Sequence, residues 1–112
     1  MAYSFLIVED DPFIAMDLEL AIEEAGYKVL AVAGSVDEAY AALSSSSPDY
    51  AILDFNLGHE DSLPIAKDLD TKRVPFIFVT GRGPQLRKEA PQYADRILSK
   101  PVDVSRILSA FN

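Results

Sequence analysis

Phe5-Leu6-Ile7-Val8, followed at once by Glu9-Asp10-Asp11-Pro12, decides how this chain is read: four apolar residues without alternation, three carboxylates, then a proline suited to a first helical turn. A continuous apolar run is expected of a strand covered on both faces, as in a parallel sheet. The same signature recurs in Val29-Leu30-Ala31-Val32, Tyr50-Ala51-Ile52-Leu53 and Phe76-Ile77-Phe78-Val79, with Ile97-Leu98 as a shorter fifth run. Helical segments separate them. Asp11 reads as an N-cap ahead of Pro12, then Ile14, Leu18, Ala21 and Ala25 as one apolar face and Gly26 as the stop. Ser35-Val36-Asp37-Glu38 is a capping box opening a helix through Val36, Ala39, Tyr40 and Leu43, with Ser44 to Ser47 and Pro48 as its exit. Leu63, Ala66 and Leu69 predict a third helix, and Val104, Ile107, Leu108 and Phe111 a terminal one. Pro84 to Tyr93 has little apolar face and is cut by Pro91, which predicts a short or mobile helix. Five strands alternating with helices imply a three-layer, doubly wound α/β fold, a five-stranded parallel sheet with right-handed crossovers.

The 112 residues, 49% hydrophobic and 25% charged, suit one domain over residues 1–112 with a single core. A net charge of -8 has the wrong sign for neutralising nucleic-acid phosphates or anionic lipid, so neither is expected as a direct partner. The absence of cysteine excludes disulfides, thiolate metal sites and thiol nucleophiles, and a single histidine excludes a His-rich metal site. No apolar run of about 18 residues and no signal segment stand in the sequence, which makes the cytoplasm the expected location. The charge is unevenly divided. Residues 1–66 hold 13 acidic side chains and one basic one, Lys28, whereas residues 67–112 hold 5 acidic and 9 basic.

In open α/β sheets ligands bind beyond the carboxyl ends of the strands. The residues there are Glu9, Asp10 and Asp11 after the first strand, Asp54 after the third, Thr80 after the fourth and Lys100 after the fifth. Gly34-Ser35 after the second carries no such chemistry, as an edge position would explain. Carboxylates from neighbouring strands repel unless a proton or cation intervenes, and hard oxygen ligands favour Mg²⁺. Such a site offsets the charge of an incoming phosphoryl group, with Lys100 and the Thr80 hydroxyl on its oxygens and Asp54 as the nucleophile that forms an acyl phosphate. Taken singly, each residue has a plainer role: Asp11 a helix N-cap, Glu9 a loop charge, Asp54 a strand terminus, Thr80 a turn residue, Lys100 an exposed lysine, His59 a solvated loop residue. Four complementary groups on one sheet edge argue for the phosphoryl site.

Leu6-Ile7-Val8-Glu9-Asp10-Asp11, Ile52-Leu53-Asp54-Phe55-Asn56-Leu57, Thr80-Gly81 and Lys100-Pro101, in this order and spacing, resemble the receiver domains of two-component response regulators. The resemblance implies a flavodoxin-like fold with strand order 2-1-3-4-5, and Asp54 as acceptor of phosphate from a histidine kinase's phosphohistidine or a phosphotransfer protein. It implies Mg²⁺ held by Asp10, Asp54 and the backbone carbonyl of Asn56, with Glu9 acting through water, and Thr80 and Lys100 on the phosphoryl oxygens. A cis bond between Lys100 and Pro101 is usual in the family. Phosphorylation would draw Thr80 toward Asp54 and reorganise the Gly81 to Pro84 loop and the segment beyond it.

Two departures stand out. Many receivers place an aromatic three residues before the lysine, where this chain has Ile97, which puts the usual aromatic switch in doubt. Pro75-Phe76-Ile77-Phe78-Val79-Thr80-Gly81-Arg82 is similar to the Pro-Phe-x-Phe-Ala-Thr-Gly-Tyr pattern of single-domain receivers in alphaproteobacterial stress signalling, with Val79 and Arg82 replacing Ala and Tyr. A downstream protein partner, or an output domain outside these residues, would read the signal, and Arg82, Arg87 and Lys88 form the expected contact patch.

Three other functions share parts of this pattern. An aspartyl-nucleophile phosphatase normally carries a second Asp two residues on, where Asn56 cannot serve as general acid. A flavodoxin-like electron carrier needs phosphate donors where Glu9-Asp10-Asp11 repel. A receiver-like interaction module without phosphate turnover is the more serious alternative.

Overall fold

The apolar runs become the strands of one parallel sheet, and the segments between them cover its two faces. The computed structural model describes residues 3–100 and 103–111. In chain order the elements are β1 (Ser4–Val8), α1 (Pro12–Glu24), β2 (Lys28–Ala33), α2 (Val36–Ser45), β3 (Tyr50–Leu53), β4 (Asn56–Leu57), β5 (Glu60–Asp61), α3 (Leu63–Thr71), β6 (Phe76–Thr80), α4 (Gly83–Glu89), a 3-10 turn (Pro91–Arg96), β7 (Ile97–Ser99) and α5 (Val104–Ser109). The main sheet runs β2-β1-β3-β6-β7 with every neighbouring pair parallel. With the small antiparallel ribbon β4–β5 set aside, this is the expected 2-1-3-4-5 order, and the silent second strand lies at the edge. The peptide between Lys100 and Pro101 lies outside the described residues.

Alternate strand residues feed two cores. Leu6, Val8, Leu53 and Phe78 pack against Ala39 and Leu43 of α2, Ile65 and Leu69 of α3 and Leu86 of α4. Phe5, Ile52, Ile77 and Val79 pack on the opposite side against Ile22 of α1 and Ile107 of α5. Each fully buried Leu, Ile or Phe contributes roughly 1.5–3 kcal/mol, so the two layers together fix the sheet. Between Phe5 and Leu6 the register with β2 shifts from Val29 to Ala31, leaving Leu30 as an extra residue. Val29 accordingly joins one core and Ala31 and Ala33 the other. A bulge of this kind twists an edge strand and discourages further pairing.

Helix α1 departs from the expected phase. Ala15 and Ile22 are its buried residues, Leu18 and Ala21 flank them, and Ile14 is 38% exposed. Phe13, Met16 and Leu20, at helical spacing on the other side, face outward, with Phe13 75% exposed. Apolar residues all around the helix leave its periodicity ambiguous, and contact with β1 and β2 selects the face. The start agrees with the reading: the Asp11 carboxylate accepts from the backbone N–H groups of Phe13 and Ile14 at 2.9 and 3.3 Å.

The weak fourth segment forms a seven-residue helix, α4, that ends before Pro91 and continues as the 3-10 turn. Leu86, fully buried, anchors it, while Arg82, Arg87 and Lys88 are exposed. Ile97 is 6% exposed and packs in the core that holds Leu86 and Tyr93. An aliphatic chain therefore fills the position where many receivers carry a mobile aromatic. Tyr93 supplies the local aromatic packing instead, edge-on to Phe76 at 5.3 Å.

Candidate functional site

Hydrogen bonding across the sheet continues one residue past the strand ends, and this aligns the site. Glu9 N–H donates to the Ala33 carbonyl at 2.9 Å, Asp54 N–H to Val8 at 2.8 Å, and Lys100 N–H to Thr80 at 2.9 Å. Each residue is held by its neighbouring strand, so their side chains emerge along one edge.

Glu9, Asp10 and Asp54 converge there, each offering one carboxylate oxygen within 4.8 Å of the others. The Lys100 ammonium lies between two of them, 3.3 Å from Glu9 Oε1 and 3.4 Å from Asp54 Oδ2. Glu9 is 3% exposed. Burial, a hydrogen bond shared with Asp54 and the charge of Asp54 push its carboxyl up to about 7, against the Asp11 backbone N–H and Lys100. Partial burial works against the Lys100 charge, but Asp54 and Glu9 outweigh it and hold the ammonium above its ordinary value. One lysine does not neutralise three carboxylates. The donor set is all oxygen and carries surplus negative charge, which fits a hard divalent cation.

Asn56, two residues after Asp54, opens the β4–β5 ribbon, where it pairs with Asp61 and Leu57 pairs with Glu60 around Gly58-His59. Gly58 has φ +78°, a left-handed conformation that suits glycine, and a side chain there would approach Asp10 Oδ2. Ser62 N–H donates to the Phe55 carbonyl at 2.9 Å, continuing the ladder on the far side of the Asn56–Asp61 pair. Asn56 thus stands at a pair whose backbone groups point away from the partner strand. His59 is exposed at the tip.

Thr80 is 1% exposed at the end of β6, and its hydroxyl oxygen accepts from the Arg82 backbone N–H at 3.0 Å across Gly81. The hydroxyl proton is left to donate. Asp11 serves as the helix cap described above.

Two residues escaped the reading of the sequence. Ser62, fully buried, donates its hydroxyl to the Asp54 carbonyl at 2.7 Å. Glu60 reaches from the ribbon to the first turn of α2, accepting from Val36 N–H at 3.0 Å. Asp61-Ser62 ahead of Leu63-Pro64 carries the signature of a helix start. That signature conceals the roles, because both partners are distant in sequence from anything it indicates.

The response regulator receiver domain profile matches residues 5–112. The chain is 38% identical over 115 residues to the phyllosphere-induced regulator PhyR of Methylorubrum extorquens, covering 97% of this chain and 43% of that one. Among solved structures it is similar to SdrG of Sphingomonas melonis Fr1, at 33% identity and a TM-score of 0.80, covering 98% and 93% of the two chains. It is also similar to the anti-anti-sigma factor PhyR of Bartonella quintana, at 26% identity and a TM-score of 0.86, covering 99% of this chain and 46% of that one. The chain spans about half the length of the curated relatives it matches. With its sheet order, its acidic strand-end cluster and its match over nearly the whole length, the chain belongs to the response regulator receiver domain family.

Proposed function

We propose that residues 1–112 act as one phosphoacceptor domain in which Asp54 takes the phosphoryl group from a phosphohistidine of a histidine kinase or phosphotransfer protein. The observation that carries this reading is the Lys100 ammonium bridging Glu9 and Asp54 where three strands end. An Asp54 carboxylate oxygen forms a bond to phosphorus as the phosphorus–nitrogen bond to the donor imidazole breaks. The imidazole keeps the electron pair, and Asp54 becomes an acyl phosphate. Lys100, already within 3.4 Å of Asp54, follows the charge onto the phosphoryl oxygens. Thr80 donates its free hydroxyl proton to another of those oxygens.

Asp10, Asp54 and the Asn56 carbonyl would hold Mg²⁺ directly, with Glu9 through water, and the ion would supply positive charge against that of the incoming group. Water hydrolyses the acyl phosphate later, so the domain turns over only its own phosphate.

A protein partner in the cytoplasm reads the change. Drawing Thr80 toward Asp54 removes the acceptor from Arg82 N–H and loosens the turn into α4, the short helix that carries exposed Arg87 and Lys88 just after exposed Arg82. This positive patch, on a protein of net charge -8, is the surface we assign to the partner. Incubation with acetyl phosphate and Mg²⁺ should add one phosphoryl mass to the wild type and none to Asp54→Asn. No gain with any small donor or kinase would overturn the reading in favour of an interaction module without phosphate turnover.

A further inference from the structure

We propose that Ser62 is a positioning residue for the phosphoacceptor, clasping the loop that presents Asp54 and the Asn56 carbonyl; the role rests on the function proposed above. Three observations carry it. Ser62 is one of few polar side chains that are buried, with no exposed surface, and its hydroxyl makes one bond, to the Asp54 carbonyl at 2.7 Å. Its backbone N–H makes a second bond, to the Phe55 carbonyl at 2.9 Å. A single residue therefore closes the loop from Asp54 to Ser62 at its base, gripping two successive carbonyls.

The third observation is what Ser62 leaves undone. It stands at the N-cap of α3, where a serine hydroxyl ordinarily accepts from a helix N–H, yet it makes no such bond. Asp61 takes that duty by accepting from Leu63 N–H at 3.0 Å. The Ser62 hydroxyl is thus withdrawn from helix capping and committed to Asp54.

The consequence follows from where the sheet ends. Asp54 N–H is fixed by Val8 at 2.8 Å, but β3 stops at Leu53, so no strand of the main sheet takes the Asp54 carbonyl. Ser62 does. With both backbone groups held, the carboxylate has a defined origin, and the peptide plane from Asp54 to Phe55 sets the direction in which Asn56 follows. Losing the hydroxyl leaves that plane free to rotate and leaves a part-buried carbonyl without this partner. Groups that orient the ligands of a metal typically change its affinity by about tenfold or more.

The test compares wild type, Ser62→Ala and Ser62→Thr, the last keeping the hydroxyl. Amide spectra of the metal-free proteins, Mg²⁺ titration and the rate of modification by acetyl phosphate at saturating Mg²⁺ are measured for each. Ser62→Ala should keep its spectrum outside the segment from Leu53 to Leu63, bind Mg²⁺ about tenfold more weakly and react about tenfold more slowly. Ser62→Thr should recover both within about threefold. Wild-type Mg²⁺ affinity in a folded Ser62→Ala overturns the proposal, as does equal impairment in Ser62→Thr when its amide spectrum matches wild type. Should wild type bind Mg²⁺ yet accept no phosphate, the proposed function fails alone, because the loss of Mg²⁺ affinity in Ser62→Ala is read without any donor.

Discussion

Replacing Glu9 by Gln should stabilise the metal-free protein, and increasingly so as pH rises. The Glu9 carboxyl goes from 4.5 to about 7 on folding, first because it is buried and then because Asp54 shares a hydrogen bond with it and repels its charge. A raised carboxyl pKa means that the folded state binds the proton more tightly than the unfolded chain. Stability from this group is greatest below pH 4.5, where both states are protonated, and declines until pH is above about 7, where both are ionised. At about 1.4 kcal/mol per pH unit, the whole decline is roughly 3 kcal/mol. Glutamine keeps the shape and hydrogen-bonding capacity of the protonated acid and has no proton to lose. Urea unfolding of both proteins with a chelator present, at pH 4 to 8, isolates the effect, since other titrating groups are common to both. The variant's advantage should grow by roughly 2–3 kcal/mol across that range. Adding Mg²⁺ at pH 8 should narrow it, because the cation offsets the Glu9 charge in wild type in addition to the Asp10 and Asp54 charges that both proteins share. A difference that stays flat from pH 4 to 8 would mean that Glu9 ionises freely in the fold, and the account of its environment would be wrong.

Leu86→Ala removes the fully buried anchor of α4 and should cost about 2–4 kcal/mol in chemical unfolding, with faster hydrogen exchange in that helix; a cost below 1 kcal/mol would mean α4 is not pinned there. Neutralising Arg82, Arg87 and Lys88 together should weaken binding of the phosphorylated protein to its partner at least about tenfold without altering acetyl phosphate reactivity, and unchanged pull-down would remove the patch from the interface. Glu60→Gln should lower stability in chemical unfolding by about 0.5–1 kcal/mol through the charge lost at the start of α2, and a loss that does not shrink in high salt would refute that cause. A phosphoryl mimic should shift amide signals over residues 81–95, and an unchanged spectrum there would end the idea that the Thr80 turn relays the signal.

Much of this architecture is legible in local sequence. Unalternating runs such as Phe76-Ile77-Phe78-Val79, rich in aromatic and β-branched residues, are expected of strands covered on both sides, and the residues just after them fall on one edge because parallel strands share a direction. That reasoning singles out Glu9, Asp10, Asp54, Thr80 and Lys100. The exit of α4 before Pro91 was equally visible, since proline has no N–H to continue a helix. The phase of α1 was not. Phe13, Met16 and Leu20 are as apolar as the residues that pack inward, and periodicity alone has no means of ranking the two faces. Ser62 and Glu60 were hidden for another reason: each sits in a helix-start pattern that has a sufficient local explanation.

What the sequence determined by itself is the set of elements, their order along the chain and the identity of the strand-end chemistry, because these depend on hydrophobic period and on residue type. Only the tertiary structure decided which carboxyl is buried and raised, which lysine oxygen contacts exist, which face of α1 meets the sheet, and that a serine hydroxyl leaves its helix to hold Asp54. Those outcomes depend on contacts between residues far apart in the chain, such as Lys100 with Glu9, and on the solvent that packing removes around them. Local pattern carries no record of either.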